Sequence, residues 1–392
     1  MSNFTTKLIT TLIDKGDITE LFRSHVEEAV NKLLQIELTE FLNYDRYDRI
    51  GFNSGNSRNG FYDRSIKTEY GELNIRVPRD RNGEFSNQTI EPYKRHNDTL
   101  ESTIIQLYSN GLTTEEIAQL IEKMYGHHYS KQTISNITTS MIEDLGSFNE
   151  RRLASRYAVV YLDATFFAIR RDTVNKEALH FAIGITPEGN KEILSYHLFP
   201  TESSYNWEIV LNHLKSQGLE ECLLFVTDGL TGIRDAIHHV YPAASHQSCW
   251  VHLSRNVAHA VRVKDRSDIL NDLKQVYHSS YVSEAQGQLN TFVNKWKAIY
   301  PKLADKFADT SSLFTFLTFP KEIHASIYTT NLIEGFNKHL KRYTKRKEQF
   351  PNEDSLNRFI HSQADKYNQK FMTRVHKGFG LVTSELLDRF SK

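Results

Sequence analysis

At 392 residues, with 39% hydrophobic and 24% charged side chains, the chain has room for two or three domains and the balance of a soluble globular protein. Its 48 basic and 48 acidic side chains cancel, so only local patches can argue for a polyanionic partner. The longest apolar runs are strand-length, the first residues lack the pattern of an export signal, and two cysteines, Cys222 and Cys249, imply no disulfide framework; a reducing cytoplasm is expected.

From about Leu8 to Asn43 the spacing predicts helix, with Leu21, Phe22, Val26, Val30, Leu33, Leu34, Ile36, Leu38 and Phe41 forming a broad apolar stripe. The stripe needs a partner, either the rest of its own domain or a second copy of the chain. Two short strands follow, turning at Tyr70-Gly71, with Pro78 expected to end the second and Asn82-Gly83 marking a further turn. Arg58, Arg64, Arg76, Arg79 and Arg81 are interleaved there with Phe61, Tyr62 and Phe85. Guanidinium forks suit phosphates and aromatic rings stack on bases. The alternative is a solvated hairpin in which Asp63, Glu69, Glu72 and Asp80 neutralise the arginines, and composition alone favours it.

Three helices are predicted between Leu100 and Met141. Gly111 closes the first, Thr113-Thr-Glu-Glu116 opens the second as a capping box, Gly126 closes it, and Ser130 caps the third. Lys131, Gln132, Thr133 and Asn136 crowd the start of that third helix, as in a helix-turn-helix reading element; helical hairpins that bind no DNA have the same outline.

The periodicity then switches to strands at Tyr157 to Arg170, Leu179 to Ile185 and Glu192 to Leu198, an antiparallel meander. A helix from Ser204 to Lys215, a strand Cys222 to Asp228, a helix Thr231 to Val240 and a short strand Ser245 to Cys249 come next. That order is the order of a ribonuclease H-like fold, in which the first and fourth strands are neighbours. Asp163 interrupts the first apolar strand and Asp228 ends the fourth, so the fold would bring together two carboxylates 228 − 163 = 65 residues apart. A charge inside an apolar strand is costly unless it is paired or coordinated. Paired carboxylates with an open side suit Mg²⁺ or Mn²⁺. Residues 253–325 read as an all-helical insertion. Thr329, Thr330 or Asn331 then caps a helix with a core stripe of Ile333, Phe336, Leu340 and Tyr343. Glu334, Lys338, Lys341, Arg342 and Lys345, with Arg346 following, line a neighbouring face. They make either an ordinary charged surface or a third metal ligand beside a phosphate-binding ladder.

These residues resemble the Mutator-like bacterial insertion-sequence transposases, which use a DDE triad. The stretch from Asp228 through Gly232 and Pro242 to Cys249-Trp-Val-His252 is similar to the family's signature, Thr330-Asn-Leu-Ile-Glu334 resembles the block carrying its glutamate, and Arg58-Asn-Gly-Phe61 with Pro78 to Phe85 resembles its N-terminal hallmark. The resemblance implies that Asp163, Asp228 and Glu334 are catalytic and hold Mg²⁺ or Mn²⁺, two ions in all. It also implies a DNA transposase that binds terminal inverted repeats through the helices around Gly111 to Ile137, cleaves strands and transfers them. A homodimer acting on double-stranded DNA in the bacterial cytoplasm, at the nucleoid, is the expected form. A non-catalytic DNA-binding regulator and a cellular nuclease are the competing readings. Cys249 and His252 make half a zinc site without a second ligand pair, and are read as structural residues near the site.

The expected fold class is α+β: a ribonuclease H-like core interrupted by an all-helical insertion, after a mainly helical N-terminal DNA-binding region. The expected divisions are 1–56 helical, 57–98 a basic hairpin, 99–152 helix-turn-helix-like, 153–252 and 326–365 core, 253–325 insertion and 366–392 a tail.

Overall fold

The computed structural model describes residues 3–48, 55–68, 70–87, 89–90, 98–125, 128–345 and 347–391. Gly126 and Arg346 lie outside the described residues. Two compact units, 1–139 and 140–392, meet along the sequence within one helix.

In the first unit, helices α1 (Asn3–Ile13) and α2 (Ile18–Leu42) precede a hairpin of β1 (Arg58–Thr68) and β2 (Gly71–Asp80). Asp17 caps α2 by accepting from the Thr19 and Glu20 amides, and Asn43 ends it in the left-handed region at φ 58°. Leu73, Ile75 and Val77 alternate along β2 onto Leu34, with Ile90 closing the cluster and Val26 and Val30 packed against it. The apolar stripe of α2 is therefore split: this edge finds its partner inside the unit, while Leu33, Ile36 and Phe41 stay exposed. Pro78 does not end β2. It pairs with Phe61 where the register shifts, and the strand runs on to Asp80.

Helices α3 (Asp98–Ser109), α4 (Thr114–Tyr125) and α5 (Lys131–Glu150) follow. The capping box forms: the Thr113 amide donates to Glu116 Oε2 at 2.8 Å and the Glu116 amide to Thr113 Oγ1 at 3.2 Å. Ser130 Oγ accepts from the Thr133 amide at 3.1 Å at the start of α5.

The second unit is built on a five-stranded sheet of β3 (Arg156–Arg170), β4 (Val174–Ile185), β5 (Lys191–Phe199), β6 (Glu221–Thr227) and β7 (Ser245–Ser248) in the order β5-β4-β3-β6-β7. The pairs β3–β4 and β4–β5 are antiparallel; β3–β6 and β6–β7 are parallel. Helices α6 (Ser204–Ser216) and α7 (Ile233–Val240) bury Trp207, Val210, Leu211, Leu214 and Ile237 against Val160, Leu162, Ala182 and Phe225. The described residues between β7 and the next long helices form α8 (Trp250–Ala260), α9 (Arg266–Tyr277), α10 (Val282–Trp296), α11 (Pro301–Asp305) and α12 (His324–Ile327), with short 3-10 turns.

Helices α13 (Asn331–Thr344), α14 (Glu353–Phe371) and α15 (Phe379–Arg389) complete the unit. Phe181, opposite Asp163 in the β3–β4 register, meets Phe336 of α13 edge-on at 5.2 Å, so these strand residues face α13. At the free edge, Asn368 of α14 imitates a strand: its side chain accepts from the Ile193 amide at 2.7 Å and donates to the Ile193 carbonyl at 3.1 Å. The region expected only as a tail thus includes an ordered helix, α15, with Phe379 and Leu386 fully buried. Among the described residues no helix is long and apolar enough to cross a membrane.

Candidate active site

Asp163 sits on the central strand just where its parallel neighbour stops. The last β3–β6 pair is Tyr161 with Val226, an offset of 226 − 161 = 65, and the same offset carried two residues further matches Asp163 with Asp228. Carboxyl ends of parallel strands are open to ligands because the sheet no longer covers them. Only 7% of Asp163 is exposed. Its Oδ1 accepts from the Ala164 amide at 3.0 Å and its Oδ2 from Asn337 Nδ2 at 2.8 Å. Burial, then the Asp228 charge, push the Asp163 carboxyl up to about 7; Glu202 and Glu334 add to this and the Ala164 amide opposes it.

Asp228 begins the loop after β6, and its Oδ1 accepts from the Leu230 amide at 3.2 Å. The loop ends at Gly232, which caps α7 at φ 82° with its missing Cβ position 3.1 Å from Ser204. Beside it lies a cleft of about 400 Å³ reaching Arg234, His246, Leu253, Asn256 and Lys306.

Glu334 occupies the first turn of α13, at a helix N-terminus that favours a negative charge. Arg255 of α8 grips it as a fork, Nη1 to Oε1 at 2.7 Å and Nη2 to Oε2 at 2.9 Å. His252 Nε2 lies 3.0 Å from Oε1 and Lys338 Nζ 3.8 Å from Oε2. Burial raises the Glu334 carboxyl, but Arg255, then His252 and Lys338, outweigh it and leave it below the usual carboxylate range.

Cys249 caps α8: its buried sulfur accepts from the His252 amide at 3.5 Å, the Thr330 amide at 3.2 Å and Thr330 Oγ1 at 3.3 Å. The start of α8 is thereby tied to the start of α13. Cys222 is elsewhere, buried in the core under α6 and α7.

Burial and neighbouring carboxylates raise Asp163 and Glu202, whereas the cations around Glu334 lower it. Among the described residues no three His, Cys, Asp or Glu side chains stand ready-made around a metal position. Both Glu334 oxygens are instead engaged by Arg255.

Three residues near the carboxylates have no counterpart in the sequence reading. Arg255 lies three residues past His252 on α8; Asn337 lies three past Glu334 on α13; Glu202 precedes α6 and is raised by burial and by Asp228. Spacing of three on a helix is the signal that could have found the first two. Glu202 has no comparable signature.

The basic residues divide by their surroundings. Lys338, Lys341 and Arg342 of α13, and Lys345 just past its end, are exposed although Glu334 is buried, so the acid and the cations share only an edge of the helix. In the other unit, Arg58 is half-buried, donating to Thr39 Oγ1 at 3.0 Å and the Tyr44 carbonyl at 2.8 Å, which gives it structural work. Arg64 is also half-buried, and Arg81 is exposed. Arg76 lies over Phe61 at 4.8 Å and Arg79 over Tyr62 at 5.9 Å, both exposed. Lys131 pairs with Glu115 at 2.9 Å, and Gln132 donates to Asn136 at 2.8 Å; all three α5 residues are exposed, with Thr133 half-buried.

A sequence profile described as "Transposase, Mutator family" matches residues 3–374. The transposase for insertion sequence element IS905 of Lactococcus lactis is 46% identical over 390 residues, covering 100% of both chains. That for IS1201 of Lactobacillus helveticus is 45% identical, covering 94% of this chain and 100% of its own. The Staphylococcus aureus transposase for IS256 in Tn4001 is 28% identical across 90% and 91%. Among solved structures, the Drosophila P element transposase strand transfer complex aligns with 79% of this chain and 87% of its own at 12% identity, with a TM-score of 0.30. The three sequence relatives are named as transposases. The chain belongs to the Mutator family of transposases.

Proposed function

We propose that this Mutator-family transposase binds the terminal inverted repeats of an insertion sequence and performs divalent-metal-dependent strand cleavage and strand transfer with Asp163, Asp228 and Glu334 as its acidic triad. One observation carries the reading: the parallel β3–β6 register ends at Tyr161 and Val226, two residues short of Asp163 and Asp228, and the charges of Asp228 and of Glu334 on α13 both act on Asp163. The strand order and the mix of three antiparallel and two parallel strands support a ribonuclease H-like core.

Mg²⁺ or Mn²⁺, two ions in the full site, would supply activation of the attacking water or 3′-hydroxyl and neutralise the leaving oxygen. The chain's own residues would provide the rest. Asp163 and Asp228 offer rigid oxygen donors at the end of a sheet, which avoids reorganisation during the reaction. Asn337 fixes the rotation of the Asp163 carboxylate. The exposed cations of α13 would hold the DNA backbone beside the acids, and the start of α5 would read base edges.

The test is a cleavage and joining assay on DNA carrying the ends of the coding element, in Mn²⁺. Wild-type products that vanish in Asp163→Ala, Asp228→Ala and Glu334→Ala are expected. DNA binding without products in any of the proteins would instead make the chain a regulator, and cleavage without preference for those ends would make it a nuclease.

A further inference from the structure

The triad reading leaves one contact unexplained, because the residue proposed as the third metal ligand is already fully engaged. Both Glu334 oxygens accept from Arg255, and Oε1 also meets His252. A hard cation needs at least one of those oxygens. The two partners differ in freedom: the Glu334 side chain is 9% exposed, whereas Arg255 is 48% exposed on a long, flexible stem. The backbones beneath them are fixed, since the Cys249 sulfur joins the starts of α8 and α13 through buried contacts. The guanidinium is therefore the part of the pair that can move without unpacking a helix.

Resting on the triad reading, we infer that Arg255 is a positioning residue that acts as a resident cation. It holds the buried Glu334 carboxylate in place in the metal-free protein, and hands it over when a divalent ion enters. A buried carboxylate left without such a partner would be costly, so the fork stabilises the metal-free fold. The same fork opposes the incoming ion, so metal binding is weaker than the carboxylates alone would allow. Once displaced, the guanidinium remains at the exposed side of the site with two parallel donors, a geometry that fits the oxygens of a DNA phosphate.

Binding of Mn²⁺ to the purified full-length chain without DNA tests this, read as free Mn²⁺ by electron paramagnetic resonance and as the Mn²⁺-induced rise in Tm. The specific site is taken as the binding that Asp163→Asn abolishes. Arg255→Ala is expected to lower Tm without metal, to bind Mn²⁺ about tenfold more tightly than wild type, and to show the larger Mn²⁺-induced rise in Tm. Arg255→Lys retains the charge but not the fork. It guards against an unfolded alanine variant and is expected to shift affinity in the same direction by less. In the Glu334→Gln background, replacing Arg255 is expected to shift Mn²⁺ affinity by much less, since only its charge effect on Asp163 remains. Wild-type-like or weaker Mn²⁺ binding in both Arg255 variants overturns the exchange while leaving the triad intact. No Asp163-dependent Mn²⁺ binding in any protein overturns both.

Discussion

Asn337 on α13 donates from Nδ2 to Asp163 Oδ2 on β3 at 2.8 Å, which makes one helix the carrier of both Glu334 and the amide that orients Asp163. Both side chains are buried, and Asn337 Oδ1 has no hydrogen-bond partner among the described residues. Asn337→Ala should lower strand cleavage by about 10- to 100-fold, the usual range for removing an outer partner of a metal ligand, measured as initial rate at saturating Mn²⁺. Asn337→Asp keeps the shape but sets a carboxylate against Asp163. It should cost about 1–3 kcal/mol in denaturant unfolding without metal, and added Mn²⁺ should recover part of that loss.

Cys249 tests the tie between α8 and α13. Its sulfur accepts from the Thr330 amide and hydroxyl, so Cys249→Ala strands buried donors and should destabilise the protein by about 1–3 kcal/mol. Cys249→Ser retains an acceptor and should lose less. Equal losses in the two variants, measured by chemical denaturation, would show that the sulfur acts through its volume alone.

Buried imidazoles predict an acid-labile fold. Burial pushes His180 down to about 4; burial, then the His213 and His180 charges, do the same to His197. Between pH 6.5 and 4 the unfolded chain binds protons at these positions that the folded chain does not. Stability contributed by the neutral rings is therefore present in full above pH 6.5 and declines as pH falls towards 4, by an upper limit of about 3 kcal/mol each. Unfolding free energies at pH 7.5, 6 and 5 should fall in that order, and the slope should shrink in His180→Gln. An unchanged slope would assign the acid sensitivity to other groups.

The exposed cations on and just past α13 should contact backbone rather than bases. Lys341→Ala and Lys345→Ala should each weaken DNA binding uniformly across sequences and reduce the slope of log affinity against log salt by roughly one. Gln132→Ala at the start of α5 should instead change preference among sequences, seen in competition between the element's ends and unrelated duplex. A Gln132 variant with unaltered preference would remove α5 as the reading helix.

Where the sequence was readable, a local pattern coincided with a tertiary role. The run Tyr157 to Arg170 is apolar and β-branched because β3 is covered on both faces, and Asp163 is conspicuous in it for the same reason. Asp228 ends a short apolar strand, and Glu334 opens a helix with a clear apolar stripe. Arg255 was opaque because its partner lies 79 residues away. Pro78 misled because a proline normally stops a strand, whereas here it sits at a register shift in a two-stranded ribbon that tolerates a missing donor. The ordered end of the chain was unreadable because α15 depends on contacts with distant residues: at its N-cap, Gly378 packs so closely on the Glu322 carbonyl that a Cβ would not fit.

Beyond its pairing with β6, β3 continues to Arg170 and bridges Phe350: the Phe350 amide donates to the Ala168 carbonyl at 2.8 Å and the Arg170 amide to the Phe350 carbonyl at 2.9 Å. Helix α13 is thus anchored at its start by Cys249 and just past its end by the strand that bears Asp163. The connection through α9 and α10 is then dispensable as a tether. A protease cut at exposed Val263 or Tyr281 should leave two polypeptides that co-elute as one particle, and the gene could be divided there into separately made halves that reassemble.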